Sequence, residues 1–422
     1  MNGEQIASLQ PALMAWLRPF GGCFRKSSTF EHWRTYLLGL MSDLKRKNVE
    51  AIALASGVAV RSLQEFVCQF RWDDERLNDL LQQWVADAHG GEQAIGVIDE
   101  SSHPKQGRKT PGVQRQYCGQ SGKIDNCVVG VHLLYTNDAS TNPFTAMLDS
   151  DLYLPERWDQ DAQRRVEAGI PEHLFSRPKW LIAAEQVERA VGQGIRFAWL
   201  VFDEAYGGVP QFWFTLDGLG QRGIGEVPAN FYCWPTPPKY RSFQGSFGPK
   251  RVDHVVRHSP VFREQDWQTV SIKDTTRGVS RWQVKAARVQ LVDKTDGPSR
   301  PTDRRYWMIV ARNPQTDEIK YFVSNAAANT VLRQMLQAAF GRWHVEKWFE
   351  RAKQDTGFGD FEGRKYIGLM RHWLCARIAM CFLAEQTTRL RGEKYTHHVR
   401  AGREDRQDAA GEDPQRLAPL LA

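Results

Sequence analysis

Three acids in three separate settings are the first feature of this chain that could do chemistry. Asp99 ends the apolar run AIGVID, Asp203 ends FAWLVFD, and Glu346 sits inside RWHVEKWFERAK. Wound as a helix at about 100° per residue, that last stretch puts Arg342, Glu346, Phe349 and Lys353 on one narrow stripe. A carboxylate between two long cations is costly to bury unless paired or metal-bound, so the stripe is either solvated or a site. Alone, it would read as ordinary i/i+4 charges on a wet helix face. With the two strand-end aspartates it makes a candidate metal-binding triad of Asp99, Asp203 and Glu346. Two divalent ions about 3.5–4 Å apart can activate a water or 3′-hydroxyl and stabilise the leaving oxygen of a phosphodiester. Magnesium needs few protein oxygens, so three carboxylates with one shared between two Mg²⁺ ions are enough. Arg342 and Lys353 would then bind the phosphates beside the scissile bond. The acids most easily mistaken for these are Glu100, Glu204 and Glu350; alternation along a strand turns Glu100 and Glu204 to the other face. His103 and His132 read as loop and core residues, since magnesium prefers oxygen. His344 lies off the stripe, as packing or facing solvent.

The elements that must position these residues divide the chain into five stretches. Residues 1–90 read as all-helical. Within them Ala53, Gly57, Leu63 and Phe66 fit a helix-turn-helix over 48–70, whose second helix would present Arg61, Ser62 and Gln64 to DNA, with Lys45, Arg46 and Lys47 just before the first. A plain helical hairpin fits the same pattern. Residues 91–207 change to strands: AIGVID, CVVGVHLLYTN and FTAMLDSDLYLP make an antiparallel meander, a helical segment runs from Trp158 to Gly194, and FAWLVFD follows. Between the first two strands lies a polar, Gly-rich segment whose cations, Lys105, Arg108, Lys109, Arg115 and Lys123, suit a phosphate backbone. Carboxylates ending neighbouring strands converge at one sheet edge, where open α/β sheets usually bind ligands. Residues 208–325 read as a β-rich insertion with NPQTDE as a hairpin connection and a basic, aromatic stretch, VPANFYCWPTPPKYRSFQGSFGPKR. Trp234, Trp267 and Trp282 there are core residues, with stacking on a flipped base as the alternative. Residues 326–391 are helical and carry the glutamate, and 392–422 read as a disordered tail.

Composition agrees with a soluble DNA-acting protein without requiring one. Of 422 residues, 41% are hydrophobic and 25% charged, with Lys+Arg 56 against Asp+Glu 49, a net charge of +7 and pI near 9.0. That mild excess suits a polyanionic partner. No apolar run approaches the length of a membrane span, and MNGEQIASLQ lacks the pattern of a signal peptide. Seven scattered cysteines without a CxxC pair argue against a disulfide framework or structural zinc. The expected setting is a reduced cytoplasm, with no membrane.

The motifs IDESSHPKQG, QYCGQSGKIDNCVVGV, WLVFDEAYG, YFVSNA and RWHVEKWFERAKQDTGF together resemble a DDE-class insertion-sequence transposase, over roughly residues 30–390. The resemblance implies an α/β fold with a ribonuclease H-like mixed sheet flanked by helices, of the retroviral-integrase type. That sheet would be interrupted by a β-rich insertion and preceded by an all-helical N-terminal DNA-binding domain. It implies that Asp99, Asp203 and Glu346 bind two Mg²⁺ ions, with Mn²⁺ substituting. The partners it implies are double-stranded DNA, as terminal inverted repeats and target, and a second copy of the chain, at least on DNA. Arg342, Glu346 and Lys353 match the family's Tyr-Arg-Glu-Lys signature, but Ala339 stands in place of the tyrosine, which leaves the route of second-strand cleavage open. The readings that compete are a nuclease that cuts without joining, a DNA-binding protein without catalysis, and a glycoside hydrolase, whose paired acids would need no metal.

Overall fold

Apolar, β-branched runs pair into a sheet that organises the molecule, with twelve strands among the described residues. The computed structural model describes residues 3–137, 143–236, 248–275, 278–295 and 297–401. The strands are β1 (Ile95–Pro104), β2 (Gln114–Cys118), β3 (Lys123–Thr136), β4 (Thr145–Leu152), β5 (Trp199–Phe202) and β6 (Gly223–Val227), then β7 (Tyr232–Trp234), β8 (Lys250–Arg251), β9 (Gln268–Thr275), β10 (Gly278–Asp293), β11 (Arg300–Arg312) and β12 (Ile319–Ser324). Their order is β2-β3-β1-β5-β6-β12-β11-β10-β7-β8, with β4 also on β3 and β9 on β10. β1, β3 and β4 form the expected antiparallel meander, Ile95 opposite Thr136 and Gly130 opposite Leu152. β5 returns parallel to β1 and β6 parallel to β5.

The strands after residue 208, read from sequence as an insertion, make no sheet of their own. β12 pairs with β6, Ser324 opposite Ile224, so the hairpins of β9 to β12 continue the same sheet. The free edge of β6 would otherwise leave backbone donors and acceptors unpaired. The NPQTDE connection closes as expected, with Asn313 N–H donating to the Glu318 carbonyl at 2.9 Å. Trp234 and Trp282 are buried and Trp267 half-buried, so the core reading of these residues stands. The central part of the basic stretch, residues 237–247, lies outside the described residues.

The helices before the sheet are α1 (Gly3–Leu17), α2 (Ser27–Met41), α3 (Val49–Ser56), α4 (Val60–Cys68) and α5 (Asp74–His89). α3 and α4 form the tight hairpin the sequence suggests. Asn48 caps α3 by accepting from Ala51 N–H at 2.9 Å, and Gly57 ends it at φ +69°, a left-handed conformation that favours glycine. Ala53, Leu63 and Phe66 are buried between the two. Between β4 and β5 come α6 (Glu156–Asp159), α7 (Ala162–Ala168) and α8 (Lys179–Gly192). The Trp158–Gly194 segment is thus broken rather than continuous, Pro171 and Pro178 lying in the gap. α9 (Glu204–Gly207) and α10 (Pro210–Gly218) follow β5, and α11 (Val252–His258) and α12 (Pro260–Arg263) follow β8.

The expected helical stretch 326–391 is likewise divided, into α13 (Leu332–Phe340), α14 (His344–Thr356) and α15 (Tyr366–Ala401). α15 therefore enters the stretch read as a tail, whose remainder, 402–422, lies outside the described residues. Contrary to the sequence reading, Tyr366–Arg389 is long and apolar enough to cross a membrane, with mean hydropathy 1.3, yet it is 83% buried inside the fold. It is the core helix. Arg371 and Arg377 interrupt its apolar run, and both are buried. Arg371 donates to the Phe70 carbonyl at 2.9 Å, the Trp72 carbonyl at 3.2 Å and the Asp74 carboxylate at 2.9 Å. That network pins the α4–α5 connection to α15. Leu13, Trp33, Leu63 and Leu77 share one buried cluster with Val97 of β1 and Trp373 of α15, so the N-terminal helices pack on the sheet's own core.

Candidate active site

The two aspartates meet because β1 and β5 are parallel neighbours. Ile98 pairs with Phe202, so Asp99 and Asp203 follow side by side where the β1–β5 pairing stops. Asp203 lies just past the end of β5, whereas Asp99, read from sequence as a strand end, sits mid-strand because β1 runs on against β3 to Pro104. Asp203 leaves its strand to cap α9, its carboxylate accepting from Ala205 N–H at 3.0 Å. Glu204 is consequently the first residue of a helix and exposed, not a strand residue turned to the opposite face as the sequence reading had it. Glu100 does turn away, into an ion pair with Lys179 of α8.

Glu346 arrives from α14, which docks through Val345, Trp348, Phe349 and Ala352. This i, i+3, i+4, i+7 set is the buried face. Phe349, placed by the sequence on the charged stripe, belongs to it: its ring packs on that of His132 at 5.3 Å between centroids. Glu346 lies on the opposite side with 73% of its side chain exposed. Arg342 sits in the short 3₁₀ turn Gly341–Trp343 before the helix. Its guanidinium spans two acids, donating to Asp99 Oδ2 at 2.8 Å and lying 3.8 Å from Glu346 Oε1.

Burial pushes the Asp99 carboxyl up to about 7; Arg342 pulls it down, and the charge of Asp203 adds to the rise. A carboxyl so placed is short of positive charge. Carboxylate oxygens alone make up this donor set, which suits a hard divalent cation. Among the described residues no three acids yet stand close enough to form a ready-made metal site. His103 and His132 are buried, as the sequence reading held for His132. Ser101 Oγ lies 2.9 Å from Nε2 of each, and burial holds both well below the usual histidine range. Glu350 is exposed on the outer face of α14, and the His344 side chain lies outside the described residues.

Sequence reasoning missed Tyr206. It is buried, its hydroxyl has no hydrogen-bond partner among the described residues, and Asp99, Glu100 and Asp203 all act on it. Its place three residues after Asp203 was the available signal.

The sequence-predicted DNA-binding residues separate into two groups. Arg108, Lys109, Lys123 and Gln64 are exposed, as is Arg61 at 88% of its side chain, beside Glu65 at 2.9 Å. Lys353 is half-buried on α14. Lys105 is a correction. Its ammonium donates to the carbonyls of Gly359 at 3.0 Å and Phe361 at 2.7 Å, and burial lowers its pKa to about 8, so it holds the turn after α14. Lys47 does similar work, donating to the Asp355 carbonyl at 2.6 Å, and is not free for DNA.

A family model of DDE superfamily endonucleases matches residues 19–294. The chain belongs to that superfamily. The matched stretch contains Asp99 and Asp203 and ends before Glu346. The chain is 27% identical over 348 residues to a probable transposase for insertion sequence element IS701 from Microchaete diplosiphon, covering 80% of this chain and 78% of the relative. Among solved structures it resembles a piggyBac transposase synaptic complex with hairpin DNA, at a TM-score of 0.41 and 13% identity, over 96% of this chain and 75% of that one.

Proposed function

We propose that the protein is a DNA transposase that cuts at the ends of its element and joins the freed 3′-hydroxyl to target DNA. The observation that carries this reading is the meeting of Asp99 and Asp203 where the parallel β1–β5 pairing stops, with Arg342 spanning from Asp99 to Glu346. The strand sequence β4-β3-β1-β5-β6, antiparallel and then parallel, supports a ribonuclease H-like assignment for residues 91–207, completed by 326–391. Residues 1–90 would be the DNA-binding helices and 208–325 the insertion within the shared sheet.

In this reading Asp99, Asp203 and Glu346 hold Mg²⁺ or Mn²⁺. Such ions supply an activated oxygen nucleophile and charge stabilisation for the leaving oxygen. The chain's own residues do the rest. Asp99 offers its oxygens from within β1 and Asp203 from just past the end of β5, and Glu346, exposed on its helix, closes the set. Arg342 and Lys353 hold phosphate oxygens beside the scissile bond. Water attacks phosphorus first, forming one P–O bond as the bond to the 3′-oxygen breaks and that oxygen takes a proton. The 3′-hydroxyl then attacks a target phosphodiester in the same way, with no covalent enzyme intermediate. Pairing two ends calls for a dimer on DNA.

The test uses labelled linear DNA carrying the element's own ends, with Mg²⁺ or EDTA, for wild type and Glu346→Gln. Magnesium-dependent nicking and a joined product are expected from wild type, both falling on the order of 10³-fold or more in the variant. Nicking that never yields a joined product would make the protein a nuclease. Binding without cleavage by either protein would remove the catalytic reading.

A further inference from the structure

A cavity of about 720 Å³ opens between residues 104–110, which follow β1, and the turn 359–364 that joins α14 to α15. Arg46, Arg108, Lys109, Lys353 and Arg364 face it, and the acids in its lining are Asp360 and Glu362. Both acids are already engaged. Asp360 accepts from Lys47 N–H at 2.9 Å, while Glu362 accepts from the Asn48 amide at 2.9 Å and lies 3.8 Å from Arg46. No hydrogen bond or ion pair joins the side chains of Arg108, Lys109, Lys353 or Arg364 to another described residue. Lys353 is the telling one: a half-buried ammonium without a counter-ion, its pKa lowered by burial. Holding a desolvated cation unpaired costs free energy that an entering anion recovers.

A second cavity, of about 520 Å³, lies against α4 and is lined by Arg61, Gln64, Gln69 and Lys365 together with Glu50 and Glu65, of which Glu65 is paired with Arg61 at 2.9 Å. Glu362, Gly363 and Arg364 line both cavities, so Arg364 stands at their junction. One end of the pair is the exposed face of the α3–α4 hairpin. The other end is Lys353, on the helix that carries Glu346. An occupant that spans both must be long, thin and repeatedly anionic, which is the chemistry of a nucleic-acid backbone.

We propose that the two cavities form one phosphate track, in which Arg364 and Arg108 hold successive phosphates of a single DNA strand between α4 and the three acids. This rests on the DNA reading above and names residues of that interface which the active-site motif does not contain. Lys47 and Lys105, by fixing the turn, are positioning residues of the track.

The experiment is equilibrium binding of a duplex carrying the element's end, in EDTA, at several salt concentrations, with neutral methylphosphonate linkages placed one at a time. Wild type, Arg364→Gln and Arg364→Lys are compared, with inorganic tripolyphosphate as competitor. Arg364 is exposed, so the variants should melt as wild type does. The salt slope of log K should fall by about one in Arg364→Gln and return in Arg364→Lys. Methylphosphonate sensitivity should vanish in Arg364→Gln at positions between those governed by α4 and the scissile phosphate, and persist on either side. An unchanged slope and an unchanged sensitivity pattern would overturn the track. So would displacement by tripolyphosphate with no positional sensitivity, which would mark a small-anion site. Binding in EDTA does not depend on cleavage, so a protein that never cuts DNA would end the transposase reading and leave this test intact.

Discussion

Asp99 concentrates the chemistry of this molecule in one side chain. Its burial raises the cost of its charge, and Arg342 offsets part of that cost through one hydrogen bond of 2.8 Å. Tyr206, close by, is the residue whose role the acids predict. Its buried hydroxyl has no hydrogen-bond partner among the described residues and so destabilises the fold as it stands. Tyr206→Phe should raise stability by about 1 kcal/mol in chemical denaturation. It should also lower single-turnover DNA cleavage by roughly tenfold, because the buried hydroxyl, in the field of Asp99, Glu100 and Asp203, is a donor that can hold one of their carboxylates. Unaltered cleavage would leave Tyr206 as a packing residue.

At the scale of elements, α14 decides where Glu346 stands. The helix is held by Val345, Trp348, Phe349 and Ala352, and Phe349 presses on His132 of β3. Phe349→Ala should cost about 3 kcal/mol or more, from lost burial and the cavity left behind. It should also reduce cleavage, because the glutamate's helix loses its seat. Phe349→Leu should restore most of both, and Glu350→Ala, on the exposed face, should change stability by less than about 0.5 kcal/mol. Denaturation midpoints and cleavage rates measured together would check this; a stability loss with undiminished cleavage would mean that α14 does not position the acid. Here the sequence was legible in part. The charged positions 342, 346 and 353 stood out by spacing, but the same spacing assigned Phe349 to the site, because a stripe drawn from one helix cannot say which side the sheet will take. Asp203 was legible as the end of an apolar strand, whereas the helix that it caps was not, being a single turn.

For the whole molecule, histidines buried where sheet, α14 and α15 meet tie stability to pH. His372 Nε2 donates to the Gly357 carbonyl at 3.0 Å, so Nδ1 accepts from the Tyr36 hydroxyl at 2.8 Å, and burial lowers its pKa to about 4. His103 and His132 are lowered as well. For each, the unfolded chain binds a proton near pH 6.5 that the folded chain refuses. Their stabilisation is therefore complete above about pH 6.5 and is lost as pH falls towards the folded values, about 4 for His372. Asp99 works in the opposite sense, since its carboxyl is raised to about 7 and stability from it declines as pH rises from its ordinary value. Three histidines against one aspartate leave unfolding to take up about two protons from these groups near pH 5.5. Denaturation at pH 7, 6 and 5 should show stability falling throughout, and His372→Gln should remove about one proton of that dependence. A flat profile would contradict the neutral buried state of these rings.

The sequence by itself determined the chemistry that is available. Apolar runs ending in Asp99 and Asp203, a glutamate between spaced cations, and a small–Gly–apolar pattern over 48–70 are local properties, and local properties survive in a linear reading. Tertiary structure alone decided which groups are spent and which are free. Lys105 and Lys47 look in sequence like Arg108 and Lys109, and only the fold turns the first two inward onto carbonyls of the turn after α14. The joining of β12 to β6 was equally invisible, because pairing depends on which strand edge lies open and not on any residue pattern. The apolar length of α15 could not by itself separate a buried core helix from a membrane span; the elements wrapped around it did.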